Sequence, residues 1–184
     1  MARIDLLPLD PPDPATAAMF AEVRNRGIAI PNLYRVIGHS PKMLRAWLDF
    51  AWPLRLDATV PRDLREILIL RIAQRSGVLY EWSHHVPMAL AAGVPQAKID
   101  AIPQGDAAAA YDPTERLLLR LADEIVDGPG AGAATVAALR ERFGDAGAVE
   151  VVLTASFYVC VGRFLQSMDI ESEPDHPVYP LPGR

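Results

Sequence analysis

Three residues of this chain have the types and spacing for proton chemistry: Glu66, Glu81 and His85. The stretch YEWSHHVPMALAAG, Tyr80 to Gly93, sets two histidines side by side in a chain that holds four in all. Glu81 and His85 stand four apart, so on a helix they share one face. Met88, Ala89 and Ala92 continue the His85 side with apolar character, which draws His85 inward with Glu81 beside it. A carboxylate and an imidazole form a general acid–base pair, in which one holds the other's tautomer and tunes its pKa. The same spacing also suits a plain surface ion pair worth tenths of a kcal/mol. Metal binding fits less well. A zinc-binding helix needs histidines four apart, whereas His84 and His85 are adjacent and diverge by about 100°. No metal and no cofactor are expected.

Glu66 lies in EILILRIA, a run apolar nearly all the way round. A helix of that kind is buried on most sides, and a carboxylate on it is costly unless paired. Arg62 precedes Glu66 by one helical turn, so a simple salt bridge is one reading and a carboxylate kept for chemistry is the other. Arg71 shares the same run and is a candidate for binding a substrate carboxylate. Tyr80 and His84 are candidate polar groups of a pocket. Pro87 deletes one backbone hydrogen bond from its helix and is expected to bend it beside His85.

The elements that must position these groups are legible from prolines and glycines. Asp13-Pro14, Ser40-Pro41 and Asp112-Pro113 each pair an N-cap residue with a proline at the first helical position. Asp112 and Glu115 have capping-box spacing. Val60-Pro61 and Val94-Pro95 read as two further starts, and Asp145 as the cap of the last long helix. Gly27, Gly77, Gly93, Gly128 and Gly144 each follow an apolar-periodic run and read as stops. The expected helices are 14–26, 31–38, 41–52, 61–76, 79–92, 95–101, 113–127, 133–143 and 146–168. Strand signals are nearly absent, so the class is all-α, in a single domain over 1–184 with extended arms at about 1–12 and 171–184. REILILRIAQ from Arg65 and TERLLLRLAD from Thr114 align Glu66 with Glu115 and Arg71 with Arg120. This hints at an internal duplication, although Leu-rich amphipathic helices also match by chance.

Composition narrows the partners. The chain has 184 residues, 51% hydrophobic and 22% charged, with a net charge of -5. That suits a globular core and argues against a nucleic-acid surface, which needs clustered Lys and Arg. No apolar run approaches the ~20 residues of a membrane span, and the N-terminal stretch lacks a signal peptide's continuous apolar core. A cytoplasmic location is expected. Cys160 is the only cysteine, so a Cys-x-x-Cys redox pair is impossible. Its apolar surroundings, VVLTASFYVCVG, predict a buried and inert thiol.

The segment LREILILRIAQRSGVLYEWSHHVPMALAAGVP, with Glu66, the YEW at Tyr80 to Trp82, His85 and the small-residue ending ALAAGVP, resembles the carboxymuconolactone decarboxylase family, which shares its fold with the alkylhydroperoxidase AhpD. The upstream NLYRVIGHSPKMLRAWLDF is also similar. The resemblance implies an AhpD-like bundle of helical hairpins, a small-molecule substrate, and a homo-oligomer, often a trimer or hexamer. In the AhpD-like branch a glutamate is followed by Cys-x-x-Cys and a histidine. These fall here on Glu66, on Val78 and Glu81, and on His85. Both thiols are missing, and peroxide reduction with them. Glu66, Glu81 and His85 then remain as the polar site of a decarboxylase-like enzyme, with His85 moving the proton, Glu81 orienting it and Glu66 setting its protonation.

Overall fold

In the computed structural model, which describes residues 2–183, eight α-helices account for the regular structure, and no strand occurs among the described residues. They are α1 (Pro14–Asn25), α2 (Asn32–Ile37), α3 (Pro41–Trp52), α4 (Arg62–Ser76), α5 (Leu79–Ala91), α6 (Gln96–Ala101), α7 (Pro113–Asp127) and α8 (Ala133–Met168). Two short pieces, a π-helix at Pro53–Asp57 and a 3-10 helix at Ile102–Ala107, have no counterpart in the sequence reading. Each continues directly from the helix before it, so no turn signal separates them.

Several starts and stops have the local chemistry their residues dictate. The Asp13 side chain accepts from the Thr16 amide at 2.8 Å. Asp112 and Glu115 form a complete capping box. Ser40 makes no side-chain cap bond, and Pro61 and Pro95 sit at the N-cap rather than inside the helix. Gly77 ends α4 in the left-handed region at φ 70°, which only glycine enters without cost. Gly144 breaks α8 at φ 71°, matching the two helices expected there. Asp145 does not cap the second of them, because its Oδ1 is taken by Arg140 Nε at 2.6 Å.

The chain falls into two compact units. The first comprises Met1–Asp57 and Leu165–His176, with α1 to α3 packed around Phe20, Val23, Leu44 and Leu48. Its N-terminal segment lies along this unit. Leu7 and Arg35 exchange hydrogen bonds, and the Leu9 carbonyl accepts from Arg24 at 2.5 Å.

The second unit, Ala58–Phe164 and Pro177–Arg184, holds every candidate site residue. Here α4 is the central helix, packed on both α5 and α7. Its apolar sides disappear into a core of Ile67, Leu70, Ala73, Trp82, Val86, Ala89 and Leu119. The end of the C-terminal segment, expected as an extended arm, lies on this same core. Tyr179 and Leu181 pack against it, and Gln74 donates to the Gly183 carbonyl at 2.7 Å. By length and composition α8 could cross a membrane, contrary to the reading of the sequence. Half of its most apolar stretch is instead buried inside the protein.

Candidate active site

The α4 start is held by α8. Glu150 Oε2 accepts from the Thr59 amide (2.8 Å), the Thr59 hydroxyl (2.9 Å) and the Val60 amide (3.2 Å). One carboxylate thus anchors the segment that leads into the helix carrying Glu66. One turn in, Arg62 and Glu66 form the i,i+4 ion pair that their spacing allows. The other Glu66 oxygen, Oε2, accepts from His85 Nδ1 at 2.7 Å. An ionised carboxylate only accepts, so Nδ1 carries the hydrogen and the imidazole tautomer follows. Glu66 is 0% exposed and His85 6%. Burial by itself would raise the Glu66 carboxyl. The charge and hydrogen bond of His85, joined by Arg62, outweigh it and hold the group below its ordinary value.

This corrects the assignment of partners within the site. Glu66, on the neighbouring helix, orients His85, and Glu81, on the same helix, does not. Glu81 is 2% exposed, and neither carboxyl oxygen has a hydrogen-bond partner among the described residues. Burial pushes its carboxyl well above the ordinary glutamate range.

The far wall comes from α8. The Tyr158 ring meets His85 edge-on, with centroids 4.9 Å apart. One turn further on, Gly162 faces Glu81 and Val78. A methyl group added there would lie 3.6 Å from Glu81 Oε2 and 2.9 Å from Val78 Cγ2. The pairs His85–Tyr158 and Glu81–Gly162 run in opposite sequence order, so the two helices are antiparallel along this face. Arg65 is buried nearby, donating Nε–H to the Val60 carbonyl at 2.9 Å. Burial lowers its pKa, and so does the charge of Arg62, while Glu66, Tyr158 and Glu150 act in the other direction.

The structure does not bring Arg71 to this place. Arg71 Nε and Nη2 grip Asp123 at 2.7 and 2.9 Å, and Nη1 donates to Gln74 and to the carbonyls of Ile102 and Pro103. Its guanidinium ties α4 to α7 and to the 3-10 helix. A five-residue step from Glu66 turns it about 140° around α4, so it is not a ligand for a substrate carboxylate at His85. Tyr80 and His84 stack on one another at 4.0 Å, with His84 Nδ1 donating to the Tyr80 carbonyl at 2.7 Å. Cys160 is exposed rather than buried. The apolar run around it is one helix with a solvent side, and Cys160 falls on that side. Tyr158, Gly162 and Arg65 were missed by the sequence reading. The one available signal was a phenol four residues ahead of a glycine in an otherwise apolar run.

Residues 41–124 match the model of the Carboxymuconolactone decarboxylase family, a segment that contains Glu66, Glu81 and His85. Tyr158 and Gly162 lie beyond it. No curated protein matches the chain in sequence. Several solved structures share the fold. An uncharacterized peroxidase-related protein from Ralstonia eutropha JMP134, described as an alkylhydroperoxidase AhpD core, superposes with a TM-score of 0.80 at 20% identity, covering 95% of this chain and 94% of that one. A peroxidase-related protein from Silicibacter sp. TM1040 gives 0.78 at 18% identity, covering 95% and 93%. The debrominase Bmp8, solved as a cysteine-to-alanine variant with 2,3,4-tribromopyrrole, gives 0.75 at 19% identity, covering 95% of both chains. The fold is therefore AhpD-like.

Proposed function

We propose, from the place of residues 41–124 in the carboxymuconolactone decarboxylase family, that this chain is an enzyme that moves a proton on a small carboxylated lactone or a related aromatic-catabolism intermediate, and that it decarboxylates it. The observation that carries this reading is the buried Glu66–His85 contact at 2.7 Å. Glu66 holds the Nδ1–H tautomer, which makes Nε2 the atom at which His85 exchanges protons. Tyr158 packs at right angles against the imidazole and helps set its orientation.

In the reaction, the bond from carbon to the substrate carboxylate breaks and its electron pair stays behind. Carbon dioxide leaves, and the pair delocalises into the substrate's own carbonyl as an enolate. His85, protonated at both nitrogens, then delivers its Nε2 proton to carbon and regains one from solvent. Glu66 stabilises that imidazolium as a buried counter-charge, and Arg62 keeps the carboxylate ionised and fixed. No further electron sink is required, because the substrate supplies one.

A thiol-based reading has less support. The two positions where the AhpD-like branch has cysteines hold Val78 and Glu81, and Cys160 has no second cysteine to resolve a sulfenic acid. The test is a paired assay on carboxymuconolactone-type substrates and on an organic hydroperoxide with a thiol donor. His85→Ala is expected to lower decarboxylation by about 10²–10⁴-fold, with Cys160→Ser unchanged. Hydroperoxide turnover that vanishes in Cys160→Ser would overturn the proposal.

A further inference from the structure

Two glutamates flank His85, and the fold treats them in opposite ways. Glu66 is paired from both sides, by Arg62 and by His85. Glu81 sits one turn from His85 on α5, buried, with both carboxyl oxygens unpartnered among the described residues. A buried polar group with no partner costs about 1–3 kcal/mol, so each such group in a native fold calls for an explanation. Packing does not supply one here. Gly162 lets the α8 backbone close against this carboxyl, and Val78 fills the other side of the glycine. The nearest titratable groups along its own helix and the facing one are His85, one turn on along α5, and Tyr158, one turn before Gly162 on α8. Neither of them is the cause of the Glu81 shift, which is burial alone. Burial favours the protonated form of this carboxyl, which offers one O–H donor.

Resting on the proton-transfer reading above, we propose that Glu81 is a neutral hydrogen-bond donor to the substrate, engaging the carbonyl oxygen on which negative charge builds. It would be the counterpart of His85: the histidine acts on carbon and the carboxylic acid on oxygen. Carboxyls held neutral by apolar sites are suited to this role, since they donate without adding a charge of their own. The assignment narrows the substrate class. The molecule carries an acceptor oxygen conjugated to the carbon that exchanges its proton, both within reach of side chains one helical turn apart. A conjugated lactone or another enolisable carbonyl compound meets this. A substrate that presents only a hydrogen-bond donor at that end does not.

Infrared spectra of the wild type and of Glu81→Gln at neutral pH test the protonation state. The expected result is a protonated-carboxyl carbonyl band in the wild type that Glu81→Gln lacks, shifted to lower frequency on adding 4-nitrophenol as an oxyanion probe. Binding of 4-nitrophenol tests the donor. Glu81→Gln, whose amide also donates, should bind within about 3-fold of the wild type, whereas Glu81→Leu should lose about 10- to 100-fold, the worth of a hydrogen bond to a charged group. Absence of the band, or equal binding by Glu81→Leu, would overturn the assignment. The underlying reading is tested separately by His85→Ala. If that variant keeps turnover while the band and the binding order hold, proton transfer by His85 is wrong and the Glu81 donor stands.

Discussion

At the residue scale, two neighbouring helices move two identical carboxyls in opposite directions, and each direction has a signature in stability against pH. Burial raises the folded pKa of Glu81 well above the ordinary glutamate value of about 4.5. The folded protein therefore keeps a proton that the unfolded chain releases. The stability this group confers is fully present below about pH 4.5 and is lost as pH rises towards the folded value. Glu81→Gln removes that loss. Its stability relative to the wild type is expected to grow by about 1.4 kcal/mol per pH unit above about 4.5, until the buried carboxyl itself ionises. Chemical denaturation of both proteins across this range measures it; parallel curves would mean that Glu81 is not protonated in the fold. Glu66, with its pKa lowered, acts the other way. Its contribution is present above the ordinary glutamate range and is lost as pH falls through the folded value.

At the element scale, the distance between α5 and α8 is set where the glycine of one meets the valine of the other. A Cβ at Gly162 would stand 2.9 Å from Val78 Cγ2, closer than two carbons can approach. Val78 is β-branched and precedes a helix start, so its methyl has little room to rotate away. Gly162→Ala is expected to destabilise the protein by about 1–3 kcal/mol, the usual cost of overpacking. In the Val78→Ala background the same change should cost much less, because the methyl it meets is gone. A double-mutant cycle by urea denaturation measures the coupling; additive effects would show that α8 can shift away from α5 freely. Arg71 is a second element-scale device. Its four-way grip on Asp123, Gln74 and two carbonyls of the 3-10 helix explains a buried guanidinium without any ligand.

At the scale of the whole molecule, the family resemblance makes a homo-oligomer the expected state. Sedimentation equilibrium at micromolar concentration should give a multiple of the 20.1 kDa chain mass, with three or six copies the first values to compare; a single monomeric species would rule it out. The two termini, expected as extended arms, each have partners within the chain. Leu7 is bonded to Arg35 in the first unit, and Tyr179 and Leu181 cover the α4–α5 core in the second.

The sequence by itself determined the helices and most of their ends. Asp13, Asp112 with Glu115, Gly77 and Gly144 act through atoms a few residues away, and local chemistry of that kind does not depend on the rest of the fold. It also determined which three residues to examine, because a carboxylate in EILILRIA and an inward-facing histidine beside a second carboxylate are anomalies in any fold. Only the tertiary structure decided how those three divide the work. Glu66 is 19 residues from His85, and nothing in the spacing says that their helices cross at that level. Glu81 is four residues away with ideal spacing, yet the Glu66 carboxylate occupies Nδ1 and α8 closes over Glu81 at a glycine some 80 residues later. Arg71 and Cys160 were misread for the same reason. Whether a helical position faces protein or solvent depends on which elements pack around the helix, and a single sequence carries that information only in the sum of its long-range contacts.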